Sequence, residues 1–160
     1  MLNIKCKVKK SELGGKGLYS EELIPKGKII GILAQEAMVM SEEKYQKEQK
    51  KGNYLVIMTA VRWVGNFFLY GDKITKEEFI NHSESPTMLY HLGVCFALRD
   101  IQKGEELTVN YNYFLAESDV NRFESIEKKG KIVDGISPKS ALINSAKELI
   151  KLFQDPKANL

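Results

Sequence analysis

Cysteine is almost missing from this chain: Cys6 and Cys95 are the only two in 160 residues, and they stand far apart. Two thiols cannot furnish a four-cysteine zinc site or a disulfide framework, so no metal is expected. They read as small buried or half-buried thiols in a reducing compartment. Long apolar runs are missing as well. No stretch approaches the ~18 residues that a membrane helix requires, and residues 1–5 lack the apolar core of a secretory leader. The expectation is a soluble protein, cytoplasmic or associated with a nucleus or nucleoid, with no membrane partner. Charge of one sign is also scarce. Lys and Arg number 24 against 21 Asp and Glu, a net +3, and the two signs alternate along most of the chain. A single-strand nucleic-acid binder interleaves aromatics with a basic groove. The basic group Lys5, Lys7, Lys9 and Lys10 has no such aromatics, so direct nucleic-acid binding is not expected.

What is present suits one compact domain with a short helical appendage, since 43% of the residues are hydrophobic. Ile4, Cys6 and Val8 alternate with lysines, the period of a half-buried strand. Gly14-Gly15-Lys16-Gly17 follows, where the backbone can take positive φ and approach a ligand closely. The phrase Ile24-Pro25-Lys26-Gly27 is echoed by Ile101-Gln102-Lys103-Gly104, predicting two turns of one type, each feeding a strand. Ser41 caps a helix over 42–51 so polar that it reads as a solvated insert. The apolar and aromatic segments 54–60 and 62–70 read as two core strands, and 90–99 as another. Thr75-Lys76-Glu77-Glu78 fits a capping box, one helical turn that delivers Phe79 into the core. A polar helix is expected over 119–129, stopped by Gly130. Ser137-Pro138 opens a last helix over 137–153, whose stripe Leu142, Ile143, Ala146, Leu149, Ile150 and Phe153 docks it onto the sheet or a partner.

Two stretches carry the chemistry. Phe79-Ile80-Asn81-His82-Ser83-Glu84-Ser85-Pro86-Thr87 sets a polar triplet directly after an apolar pair, and Pro86 holds the residue before it extended. Gly104-Glu105-Glu106-Leu107-Thr108-Val109-Asn110-Tyr111-Asn112-Tyr113 launches a strand from a Lys-Gly turn. It ends in two tyrosines two residues apart, which share one face.

Together these stretches resemble the paired signature motifs of the SET domain, the protein-lysine methyltransferase fold, and Gly15-Lys16-Gly17-Leu18 supplies the family's third motif in the expected order. The resemblance covers about residues 3–115. It implies a mostly β fold with short helices, built of small curved sheets with a pseudoknot (a β-clip-like architecture), plus a C-terminal helical segment. A catalytic domain over 1–115, with an insert at about 41–52, would be followed by a helical cap over 116–160 in place of a zinc-binding segment. The implied activity is S-adenosylmethionine-dependent methyl transfer to the ε-amine of a lysine in a protein, with S-adenosylmethionine as cofactor.

Carried over residue by residue, Tyr111 is the implied catalytic tyrosine. Tyr90, Tyr113 and Val109 line the implied substrate channel. Gly15, Lys16, Gly17, Asn81, His82 and Tyr111 contact the implied cofactor, and Phe123 is nominated over Phe114 to stack on its adenine. Val109, with Tyr90 filling the channel, is expected to favour monomethylation. Asn110, Glu84 and Thr87 depart from the family pattern, where Asp, Cys and Asn are usual; Thr87 is expected to loosen its loop. The protein substrate is open: histone-like and ribosomal proteins both fit, and Glu84, Glu105, Glu106 and Glu117 offer acidic contacts to a basic tail, although solvated surface is the expected role for most of them. The alternative reading is a domain of the same fold that binds a partner without transferring methyl groups. The sequence carries no indication of oligomeric state.

Overall fold

The structure is a computed structural model that describes residues 2–33, 36–115, 123–125, 127 and 130–160, with 123–125 described in their backbone alone. Strands β1 (Cys6–Lys10) and β2 (Lys16–Ser20) form an antiparallel hairpin, and β3 (Ile29–Ile32) leads away from it. The excursion that follows contains β4 (Met38–Ser41), α1 (Glu42–Lys50), α2 (Tyr54–Thr59), β5 (Val61–Val64) and β6 (Phe67–Tyr70). Its strands make a sheet in the order β4-β6-β5. A 3-10 turn over Lys76–Phe79 then delivers β7 (Asn81–His82), and β8 (Met88–His91) and β9 (Val94–Ala97) form a hairpin that completes the sheet β3-β9-β8. The short β10 (Thr108–Val109) is followed by a 3-10 turn over Tyr111–Tyr113. Strands β11 (Phe123–Ser125) and β12 (Lys131–Val133) pair with each other, and α3 (Pro138–Gln154) closes the chain.

The segment bearing β10 is gripped on two sides. Leu107 N–H donates to the Leu18 carbonyl at 2.7 Å, and Tyr19 and Glu106 form an antiparallel bridge. One residue later the same segment pairs in parallel with β7, Thr108 opposite Asn81 and Val109 opposite His82. This threading matches the mostly β, interlocked architecture that the signature motifs imply. The two echoed turns hold one another as well: Ile24 and Ile101 exchange both backbone hydrogen bonds at 2.9 Å, and both are fully buried. Gly27 and Gly104 take φ of 86° and 89° at equivalent positions, conformations that glycine adopts without steric cost.

The main core gathers Leu18, Ile24, Ile30, Met88, Ile101 and Leu107. A second, smaller core within the excursion joins Met40, Tyr45, Val56 and Phe68.

Several expectations are corrected. The segment 54–60 is not a strand, because Gly52 at φ 70° ends α1 and the Asn53 side chain caps α2 through the Val56 N–H, which outweighs the β preference of its residues. Segment 62–70 is a hairpin broken at Gly65, and 90–99 is a hairpin broken at Leu92-Gly93, both with positive φ. The helix α1 is not a purely solvated insert, since Tyr45 is buried and stacks on Phe68 at a centroid distance of 4.1 Å. Phe79 stays half-buried beside the Lys16 ammonium, and Ile80 enters the core instead. The helix expected over 119–129 gives way at Phe123–Ser125 to β11, whose hairpin bonds satisfy the backbone there; residues 116–122, 126, 128 and 129 lie outside the described residues.

Helix α3 begins as expected, with the Ser137 hydroxyl accepting from Ser140 N–H and Pro138 in the first turn. Its docking face keeps part of the expected stripe, with Leu149 and Phe153 packed against Leu89 and Phe96, and departs from it elsewhere. Ala141, Ser145 and Leu152 are buried while Leu142, Ile143 and Ile150 are exposed, because the small Ala141 and Ser145 let the helix approach β8 closely.

Candidate active site

Strand β7 ends in the Asn81-His82 pair, and the neighbouring β10 runs directly into Tyr111. The Tyr111 N–H donates to His82 Nδ1 at 3.2 Å, and its hydroxyl donates to the Ile80 carbonyl at 2.7 Å. The rings of His82 and Tyr111 lie 5.4 Å apart. Because Nδ1 accepts, the neutral imidazole carries its proton on Nε2, which faces Glu84 Oε1 at 3.1 Å. Glu84, where the family usually has Cys, therefore fixes the ring orientation. Burial pushes the Tyr111 phenol well above its ordinary pKa, and the charge of Glu106 adds to the shift.

The glycine loop reaches the same place. Asn81 Nδ2 donates to the Lys16 carbonyl at 3.1 Å and to Glu106 Oε1 at 2.7 Å. Glu106 also receives the Ser11 hydroxyl at 2.8 Å and the Tyr19 hydroxyl at 2.9 Å. One carboxylate thus ties together the β1–β2 hairpin and the Asn81 amide. Gly17 is required by this arrangement, since a Cβ there would lie 2.1 Å from Glu106 Oε1. Gly15 takes φ 58° and has open space where a side chain would project. Glu106 is the residue that sequence reasoning missed. The Glu105-Glu106 pair read as solvent-facing charge, and only the position of Glu106 one residue before the buried Leu107, opposite a strand, could have marked it.

Tyr90 is buried, and its hydroxyl donates to the Arg62 carbonyl at 2.7 Å. The Phe114 ring touches both Tyr90 and Tyr111, at 5.5 and 4.9 Å between centroids. Phe114 is therefore part of the aromatic core. Tyr113 sends its hydroxyl to Glu148 on α3. Tyr90 and Tyr113 share the wall of a cavity of about 20 Å³ closed by Arg62, Trp63, Ala141 and Ser145. Val109 packs in the main core outside that lining. The side chain of Phe123 lies outside the described residues.

Two departures from the motif prove well supported. Asn110 Oδ1 accepts from Asn112 N–H at 3.0 Å and so caps the turn that carries Tyr111. Thr87 is buried and knitted to Thr108: its N–H donates to the Thr108 hydroxyl at 3.1 Å and its hydroxyl accepts from the Thr108 N–H at 2.9 Å. The expected loosening of the loop does not occur. Ser83 Oγ and Glu84 N–H are both taken up by the Glu127 carboxylate. A larger cavity, of about 280 Å³, lies between the β4-β6-β5 sheet and the turn before β7, and none of the residues placed around Asn81, His82, Glu106 and Tyr111 lines it. Among the described residues no cluster of His, Cys, Asp and Glu is arranged to hold a metal, and no helix is long and apolar enough to cross a membrane.

The sequence profile of the SET domain matches residues 15–112, which contain every one of these groups from Gly15 to Tyr111. The chain belongs to the SET-domain family. It is similar to a "Variant-silencing SET domain-containing protein" of Plasmodium falciparum, with 31% identity over 163 aligned residues, covering 90% of this chain and 6% of the relative. It is also similar to a "Putative histone-lysine N-methyltransferase 1" of the same organism, with 30% identity over 130 residues, covering 69% of this chain and 2% of the relative. The chain thus spans a small fraction of the length of these relatives. The profile ends at residue 112, so Tyr113, its partner Glu148 and the whole of α3 fall beyond it.

Proposed function

We propose that this SET domain transfers a methyl group from S-adenosylmethionine to the ε-amine of a lysine in a protein substrate. The reading is carried by one juxtaposition: the Tyr111 hydroxyl is bound to the Ile80 carbonyl, immediately before the Asn81-His82 pair, and Asn81 is bonded to the glycine loop. Bound S-adenosylmethionine supplies an electrophilic methyl on a positively charged sulfur that leaves readily.

The donor set fits that molecule. The Lys16 ammonium complements its carboxylate, Glu106 and the Asn81 amide oxygen complement its ammonium, and the free space at Gly15 admits it to the backbone. Phe123 remains the nominated adenine-stacking residue. Tyr111 acts on the amine. The bond to Ile80 fixes the direction of its hydroxyl, which presents the oxygen to an amine N–H and aims the nitrogen lone pair. Tyr90 and Phe114 surround this point with apolar ring surface, which disfavours an ammonium and excludes water.

Calorimetric titration with S-adenosylmethionine, then incubation of the protein with labelled cofactor and whole-cell lysate and mapping of the labelled sites, tests the proposal. Binding followed by label on lysine is the expected result. Histone-like and ribosomal proteins are the candidate substrates, the former in keeping with the name of the second relative. Absence of both binding and label would favour the second reading, a SET-fold module that binds a partner without transfer. The observation on that side is the aromatic cavity of only about 20 Å³, room for about one water.

A further inference from the structure

Three tyrosine hydroxyls surround the aromatic region, and they send their hydrogens to different kinds of acceptor. Tyr90 donates to the Arg62 carbonyl and Tyr111 to the Ile80 carbonyl, and a backbone carbonyl cannot keep a proton. Tyr113 alone donates to a carboxylate, that of Glu148. We propose that Glu148, acting through Tyr113, receives the proton that a substrate lysine must lose before its amine can be methylated. The proposal rests on the lysine-methylation reading above.

The proton count closes as follows. A lysine arrives as an ammonium and one of its N–H bonds breaks, the proton passing to the Tyr113 oxygen while the Tyr113 hydroxyl proton passes to Glu148. The products are a neutral amine with a free electron pair, an intact Tyr113 and a protonated Glu148. Glu148 is half-buried, so its other side meets water and returns the proton there. The elements packed on α3 are β8, the turn of Tyr111–Tyr113, β9 through Phe96 against Phe153, and β5 where Arg62 and Trp63 line a cavity with Ala141 and Ser145. They bring Tyr90, His91, Tyr111 and Tyr113, with Arg62 from β5, whose guanidinium is bound to the Ile136 carbonyl, and Cys95 from β9, which is buried in the main core; α3 itself adds Lys147 and Lys151 beside Glu148. His91 is engaged with Ser145 Oγ at 2.9 Å, and burial pushes its imidazole below the usual value, which leaves Glu148 as the acceptor.

The test compares wild type with Glu148→Gln, using labelled S-adenosylmethionine and a degenerate peptide library with one fixed central lysine, from pH 7 to pH 10. Glu148→Gln should lower kcat about 10²-fold at pH 7. The deficit should shrink as pH approaches the ordinary lysine pKa of about 10.4. Tyr113→Phe should show the same pH-dependent deficit, and the double variant should be no slower than either. It also asks the question if Glu148→Gln does not fold. Independently of activity, ultraviolet difference titration of Glu148→Gln should show one tyrosine ionising at lower pH than in wild type, a change absent from the double variant. A deficit equal at every pH, or no change in tyrosine titration, would overturn the proposal while leaving methyl transfer intact. A wild type that labels no lysine in the library would remove the underlying reading, and this inference with it.

Discussion

The Tyr111 hydroxyl donates to the Ile80 carbonyl across a sequence separation of 31 residues. This bond adds to the parallel pairing of β7 with β10 in holding the end of one motif against the start of the other. Tyr111→Phe removes it and leaves a buried carbonyl unpaired, at a cost of about 1–2 kcal/mol in stability. The fold and the affinity for S-adenosylmethionine should survive, whereas turnover should fall by about 10²-fold as the amine loses its guide. Urea denaturation, calorimetry and initial rates check the three parts, and undiminished rates would take Tyr111 out of the mechanism.

Gly17 is the second point of leverage. In Gly17→Ala the new methyl group would meet Glu106 Oε1 at 2.1 Å and Ser11 Cβ at 3.0 Å. Glu106 must then swing away from Ser11, Tyr19 and Asn81. Overpacking of this kind costs about 1–3 kcal/mol, and S-adenosylmethionine should bind at least tenfold more weakly because Asn81 loses its anchor. Thermal melting and calorimetry read the two effects, and unchanged affinity would show that Glu106 has no part in positioning Asn81.

Alkaline pH should unfold the protein through its buried thiol and phenols. Burial pushes the Cys95 thiol up to about 12, from an ordinary value of 9.0. Tyr90, Tyr111 and Tyr113 are likewise raised by burial, with Glu106 adding at Tyr111 and Glu148 at Tyr113. The folded state holds these protons longer than the unfolded chain does. Stability is thus fully present below pH 9 and declines above it, by at most about 1.4 kcal/mol per pH unit for each group engaged. Denaturant midpoints from pH 8 to pH 10.5 should fall accordingly, and Cys95→Ala should flatten the slope between pH 9 and pH 10.

The motif residues were legible because their chemistry is local: an Asn-His pair after an apolar pair, a strand ending in two tyrosines, and glycines where φ turns positive. The parts that escaped are those decided by partners distant in the chain. Glu106 reads as one more surface charge until the hairpin of Ser11 and Tyr19 folds against it. Segment 54–60 has the residues of a strand, but Gly52 and Asn53 before it fix a helix end and a helix start. The stripe on α3 holds at Leu149 and Phe153 and fails at Ile143 and Ile150, because hydrophobicity marks those isoleucines whereas close packing on β8 selects the small Ala141 and Ser145. Thr87 looked like a weakened copy of an asparagine, and its bonds to Thr108 could be seen only once the two strands had met.

Product distribution offers a further check. The space between Tyr90 and Tyr113 is about 20 Å³, and each added methyl group enlarges the amine that must turn within it. Monomethyl-lysine should dominate early in the reaction when products are counted by mass spectrometry. Trimethyl-lysine as the main early product would show that the rings part further than this geometry allows.

The mutual clasp of Ile24 and Ile101 has a mechanical corollary. These two residues bolt the segment that follows the β1–β2 hairpin to the segment that leads into Tyr111, and among the described residues none of the excursion between β3 and the turn before β7 shares these two bonds. That excursion has its own small interior around Tyr45 and Phe68. The excursion still reaches the aromatic site through β5, whose Arg62 carbonyl holds the Tyr90 hydroxyl, so a change in its length would be felt first at Tyr90 and only afterwards at this joint.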